Sequence, residues 1–179
     1  MIDPVTLHRW VLAGLFTGLA TLIVFARMLP LDLTPGGMPP PDAIVLLGFA
    51  WVVRRPDFVP VLLFAAILLA TDLLFLRPPG VATAFAVIGL EVLRARSGFL
   101  RAQPFAMEWA NVAVVLVLML LAERVLLGVF FVEQVSLGLS VYGLLVNLVF
   151  YPVVVGLSVW AFGVRRLAPG EHAAEARLG

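Results

Sequence analysis

Apolar runs broken by short polar stretches divide the chain into six segments. The first run, Trp10 to Ala26, is longer than the ~7–15-residue apolar region of a signal peptide, and further runs follow it. It therefore reads as an uncleaved first membrane helix, about 9–29. Pro30, Pro35, Gly36, Gly37, Pro39, Pro40 and Pro41 then forbid a helix until Asp42. Ala43–Val53 is apolar but covers only about half of a ~30 Å hydrocarbon core at 1.5 Å per residue. It is either a short tilted span, lengthened by Arg54 and Arg55 reaching to the interface, or a re-entrant segment. Phe58 to Leu76 follows, and Arg77, Pro78, Pro79 and Gly80 break it.

The remaining segments are about 80–96, 109–131 and 139–164. The pattern predicts an all-α integral membrane protein: one transmembrane domain over 1–166, a compact bundle of six helices, the second and fourth short. The polar residues 167–179 are expected to form a mobile cytoplasmic tail. Arg9, Arg54, Arg55, Arg94, Arg96, Arg101, Arg165, Arg166 and Arg177 fall on the cytoplasmic side of a six-span arrangement, Arg27 and Arg77 outside. A five-span arrangement exchanges only Arg9 and Arg27, so charge does not choose between them.

Composition agrees with the pattern. Apolar residues make up 63% of the 179 residues and charged ones 13%, against about 45–50% apolar in a soluble domain. All 12 basic residues are arginine, and the net charge of +1 offers no general attraction to nucleic acid. Cysteine is absent, which removes disulfides and thiolate chemistry.

Catalytic patterns are missing. No phosphate-cradling loop or H-E-x-x-H helix occurs, and His8 and His172 lie at opposite ends of the chain. An intramembrane aspartyl protease needs two aspartates within the spans, and only Asp72 is so placed. The expectation is a protein without enzymatic activity, metal or cofactor.

The polar residues inside the runs are the candidates for function. Asp72 and Glu123 each lie 14 residues past the start of their segments, Phe58 and Trp109. That places both roughly 20 Å from the inner face by helical rise. A carboxylate there costs about 2.5–3.5 kcal/mol unless paired. Arg124, Arg77 or a polar group of a neighbouring helix is the expected partner of Asp72. The alternatives are a contact with another protein's membrane segment and a proton or substrate path. Asn147 is expected to bond between helices, and Pro152 to bend the last one and free a carbonyl one turn back. Glu91 and Arg94 have a favourable helical spacing. Gly14-x-x-x-Gly18 is a close-approach motif, read as packing within the chain or docking of a partner helix. Arg54, Arg55, Arg94, Arg96 and Arg101 are expected to form a cytoplasmic basic face, contacting anionic lipid or a cytoplasmic partner.

Together these positions resemble the MreD family of bacterial rod shape-determining proteins. The resemblance spans about 29–166. It rests on the Pro-rich loop, Asp42 opening the short second helix, the basic turn with Pro56, Asp72-Leu73 eight residues before Gly80, and Tyr151-Pro152 leading to Arg165-Arg166. Phe75-Leu76, where relatives often carry small residues, and Pro78-Pro79 depart from the pattern. The resemblance implies a six-helix adaptor of the inner membrane with its C-terminus cytoplasmic, similar in fold to the substrate-binding components of energy-coupling-factor transporters. It further implies binding to MreC and, through it, support of MreB filaments and of RodA with its penicillin-binding protein in lateral peptidoglycan synthesis and rod shape. The alternative is a small-molecule-binding component of a membrane transporter, which calls for an outward cavity with convergent polar groups.

Overall fold

A computed structural model describes residues 4–29 and 39–162, with side chains from Val11 onward. It is all-helical. The elements are α1 (Pro4–Met28), α2 (Ala43–Arg54), a 3-10 turn (Pro56–Phe58), α3 (Val61–Leu74), α4 (Val81–Arg101), α5 (Phe105–Val129) and α6 (Leu137–Phe162). No strand occurs among the described residues. Three stretches are long and apolar enough to cross a membrane: Val11–Met28, Phe105–Val129 and Leu137–Ala161. Their outer faces carry Leu22, Phe25, Leu118, Val125, Val149 and Trp160, all exposed. A continuous apolar exterior of this kind belongs in lipid and marks a helical membrane protein.

The centre of the bundle is α2. Every residue from Ile44 to Arg54 is buried, as a helix apolar all round requires. Its main neighbours are α4 and α6. Phe16 of α1 meets Trp51 at 5.7 Å and Phe64 of α3 at 6.3 Å between ring centroids. Two glycines allow the closest approaches. A Cβ on Gly48 would run into the Phe64 ring, and one on Gly89 would lie 2.8 Å from Val115 and 3.0 Å from Phe49.

The short helices are the second and third, not the second and fourth. α3 starts only at Val61, because Pro56 and Pro60 hold Phe58 and Val59 in a buried turn before it. It ends at Leu74, where Leu76 takes a positive φ of 52° ahead of Pro78-Pro79. α4 instead continues to Arg101, through residues expected to form a loop. Its buried positions Ala86, Gly89, Leu90, Leu93, Ser97 and Leu100 recur at three- and four-residue steps. One apolar stripe therefore holds the helix together while Arg94 and Arg96 occupy its other side. α5 also begins earlier than expected, after Pro104, which brings Glu108 inside the helix. Residues 30–38 of the Pro-rich loop, with Asp32, and the stretch 163–179, with Arg165, Arg166, His172 and Arg177, lie outside the described residues.

Candidate functional site

The polar groups gather at the two ends of α2. At its C-terminal end Arg54 is 3% exposed and Glu108 of α5 0%. The guanidinium and carboxylate pair through two contacts: Nη1 donates to Oε1 at 2.6 Å and Nη2 to Oε2 at 3.2 Å. Tyr151 of α6 donates its hydroxyl to the same Oε1 at 2.6 Å, and Phe105 stacks on the Tyr151 ring at 6.3 Å. Arg54 also reaches the Ala50 carbonyl at 2.9 Å.

One turn earlier on α2, Trp51 donates to Ser158 Oγ of α6 at 3.1 Å. Pro152 lacks an N–H and leaves the Leu148 carbonyl without its helical donor; Trp109 Nε1 supplies one at 3.0 Å. Charges buried this way are held by pairing. The cluster ties α2, α5 and α6 together and is closed to any substrate.

Arg54 is thus not part of a basic face. The sequence reading missed Glu108 because it started that helix at Trp109, four residues after Phe105. The signal was present: Glu108 precedes Val112, Val115 and Leu116, the buried positions of α5, at steps of four, seven and eight. It therefore lies on the inward stripe.

The other arginines of the expected face separate. Arg94 donates to the Val59 carbonyl at 2.5 Å and lies 3.1 Å from Glu91. Arg55 sits 5.3 Å over the Phe58 ring. Arg101 donates back to the Ser97 carbonyl. Arg96 is exposed and reaches Asn111 Oδ1 at 3.2 Å.

At the other end of the bundle Asp72 is 2% exposed. Its Oδ2 accepts from Thr83 Oγ1 at 2.7 Å and from the backbone N–H groups of Gly80 at 3.2 Å and Thr83 at 3.4 Å. From α3 it caps the first turn of α4, where free amides and the helix dipole favour an anion. Neither Arg124 nor Arg77 is its partner. The eight-residue spacing to Gly80 has its reason here. Gly80 takes φ 82°, a left-handed conformation suited to glycine, and turns its own N–H toward the carboxylate.

Arg124 instead donates to Ser140 Oγ at 2.6 Å and to the Val135 carbonyl at 3.3 Å. Gln134 donates to the Arg124 carbonyl at 3.1 Å. Together they close the turn between α5 and α6. Asp42 opens α2: its N–H donates to Asn147 Oδ1 at 2.8 Å, and its carboxylate lies 3.0 Å from Arg27 and 3.8 Å from Arg77. Arg27 rests 5.4 Å over Phe75, one of the bulky residues where the resemblance departs.

Between this end of α2 and the facing parts of α5 and α6 lies a cavity of about 450 Å³. Asp42, Arg77, Glu123, Arg124 and Asn147 line it. Four of the expected intramembrane candidates, Arg77, Glu123, Arg124 and Asn147, therefore fall near one another, with Asp72 close by on α3. Gly14 and Gly18 make no close approach: nothing lies within 4 Å of where their Cβ atoms would stand, and both are exposed. Among the described residues no group of His, Cys, Asp and Glu could hold a metal ion. No protein-family model matches the chain, and no curated protein or solved structure matches it.

Proposed function

We propose that this protein is a non-enzymatic scaffold of the MreD kind. In this reading all six helices form one bundle in the bacterial cytoplasmic membrane, with α2 as a short inner helix, α3 as a short outer one and the C-terminus cytoplasmic. The partner it holds is MreC, and through MreC it supports MreB-directed wall synthesis by RodA and its penicillin-binding protein.

One observation supports this reading above others: residues that carry the resemblance stand at joints of the bundle. Asp42 joins α2 to α6 through Asn147. Asp72 joins α3 to α4. Tyr151 joins α6 to α5 through Glu108. A sequence pattern spent on joints specifies a shape, and a shape is what an adaptor presents. The exposed Gly14 and Gly18 leave one flank of α1 open to a neighbouring helix.

The test is capture of the tagged full-length chain from native membranes. MreC should accompany it, and exchanging Arg96 and Arg101 for Gln should leave insertion intact while reporting whether the inner arginines contribute to partner recovery. Capture with an ATP-hydrolysing coupling protein and no MreC would sink the scaffold reading. It would favour the transporter component, for which the cavity beside Asp42 and Asn147 is the supporting feature.

A further inference from the structure

Ionised groups inside membrane helices are costly unless something answers their charge. Asp72, Arg54, Glu108, Arg27 and Arg124 are each answered by protein groups. Glu123 is not. Its carboxylate makes no hydrogen bond and no ion pair among the described residues, and it lines the cavity. Arg77 is the cation whose charge reaches it most strongly, yet Arg77 lies against Asp42. Arg124, next to Glu123 in sequence, is turned to Ser140 and Val135.

Behind the acid the walls are apolar, formed by Leu116, Met119, Leu120 and Leu144. The volume of about 450 Å³ falls inside the ~300–1,000 Å³ range of small-molecule sites. The cavity holds three acids, Asp42, Glu123 and Glu133, against two arginines, Arg77 and Arg124, and each arginine is already engaged, by Asp42 or by Ser140 and Val135. It suits a cation on an apolar body.

We propose that this cavity binds a small amphiphilic primary amine, with its ammonium on the Glu123 carboxylate and its apolar part against Leu116, Met119, Leu120 and Leu144. Asn147 has its carbonyl engaged by the Asp42 N–H, which leaves its amide N–H groups for a neutral acceptor on the ligand. The amine has two possible sources, the headgroup of an aminophospholipid or a free amine, and the proposal rests on neither functional reading above.

The experiment uses the full chain purified in an uncharged maltoside detergent. Phenethylamine is titrated by calorimetry, with 2-phenylethanol and phenylacetate as matched neutral and anionic probes. In parallel, native mass spectrometry reads which lipids stay bound after exchange into nanodiscs of phosphatidylethanolamine, phosphatidylcholine and phosphatidylglycerol in equal parts.

Saturable binding of phenethylamine alone, weakened more than tenfold by Glu123→Gln, identifies a free-amine site. Retention of phosphatidylethanolamine over phosphatidylcholine, lost in Glu123→Gln, identifies the lipid headgroup. Gly143→Leu is the second variant. A Cβ there meets only Pro39 at 3.8 Å, so the longer side chain fills the chamber without disturbing the helix, and it should abolish either signal at unchanged helical content. Equal binding of the alcohol, indifference to both substitutions, or no binding from either source overturns the proposal.

Discussion

The two ends of α2 use the same residue types under opposite conditions. At the C-terminal end an arginine, an acid and a tyrosine are sealed from solvent, each with a partner in good geometry. At the N-terminal end Asp42 is 38% exposed, its two arginines sit at 3.0 and 3.8 Å, and Glu123 and Glu133 nearby make no hydrogen bond or ion pair among the described residues. Burial decides the difference. A sealed charge that loses its partner has no water to turn to, so the first cluster behaves as a lock. A half-open charge keeps its hydration, so the second can exchange partners at small cost.

The largest expected effect breaks the lock from one side. Glu108→Leu leaves the Arg54 guanidinium buried and unpaired and should cost roughly 3–5 kcal/mol. In detergent it should appear as a large drop in melting temperature and in monodisperse yield. Arg54→Leu combined with Glu108→Leu removes the charge on both sides and should recover most of that loss. A double variant as damaged as the single one would show that the pair is not what holds this end.

Removing a cap comes next. Asp72→Leu strips the carboxylate from Gly80 and Thr83 and should cost about 1–2 kcal/mol, the upper part of the range for capping residues. Adding Arg124→Leu should bring no recovery, because Arg124 bonds Ser140 and Val135 instead. Adding Thr83→Val should recover part, since the hydroxyl then no longer lacks its acceptor. Rescue by the Arg124 change and not by the Thr83 change would reverse the assignment.

The smallest effect belongs to the open end. Asp42→Asn keeps the N–H that Asn147 accepts and removes only the ion pairs with Arg27 and Arg77. The loss should stay below about 1 kcal/mol and shrink further in high salt. A loss as large as that of Glu108→Leu would erase the contrast between the two ends.

How much of this was legible in the chain depends on what each residue needs for its meaning. The all-helical class and the bounds of α2 follow from apolar runs and proline, which act locally. The length of α4 did not, because ending it near Arg96, within the arginine-rich stretch that reaches Arg101, ignored the stripe Leu90, Leu93, Ser97 and Leu100. Asp72 announces itself as a buried acid, but its partners lie across a turn whose path depends on the left-handed Gly80. Three kinds of partner were expected for it, two cations and a polar group of a neighbouring helix, and the structure supplies the third. Glu108 was hidden by a boundary drawn at Trp109, four residues after the helix begins at Phe105, and its union with Arg54 spans 54 positions, a distance over which periodicity carries no information.

That separation also orders the making of the protein. A ribosome that has released α2 has not yet made Glu108, Tyr151 or Ser158. At 12 residues the helix rises about 18 Å, too little to lodge across a ~30 Å bilayer unaided. Until α5 is made, Arg54 lacks the carboxylate that answers its charge, so burying α2 before then should be costly. Synthesis of α6 then delivers the hydroxyls of Tyr151 and Ser158, which complete the cluster around Glu108 and Trp51. The helix at the centre is among the first to be translated, yet its polar partners are among the last. A chain cut short before α6 would leave Trp51 and Glu108 without Ser158 and Tyr151.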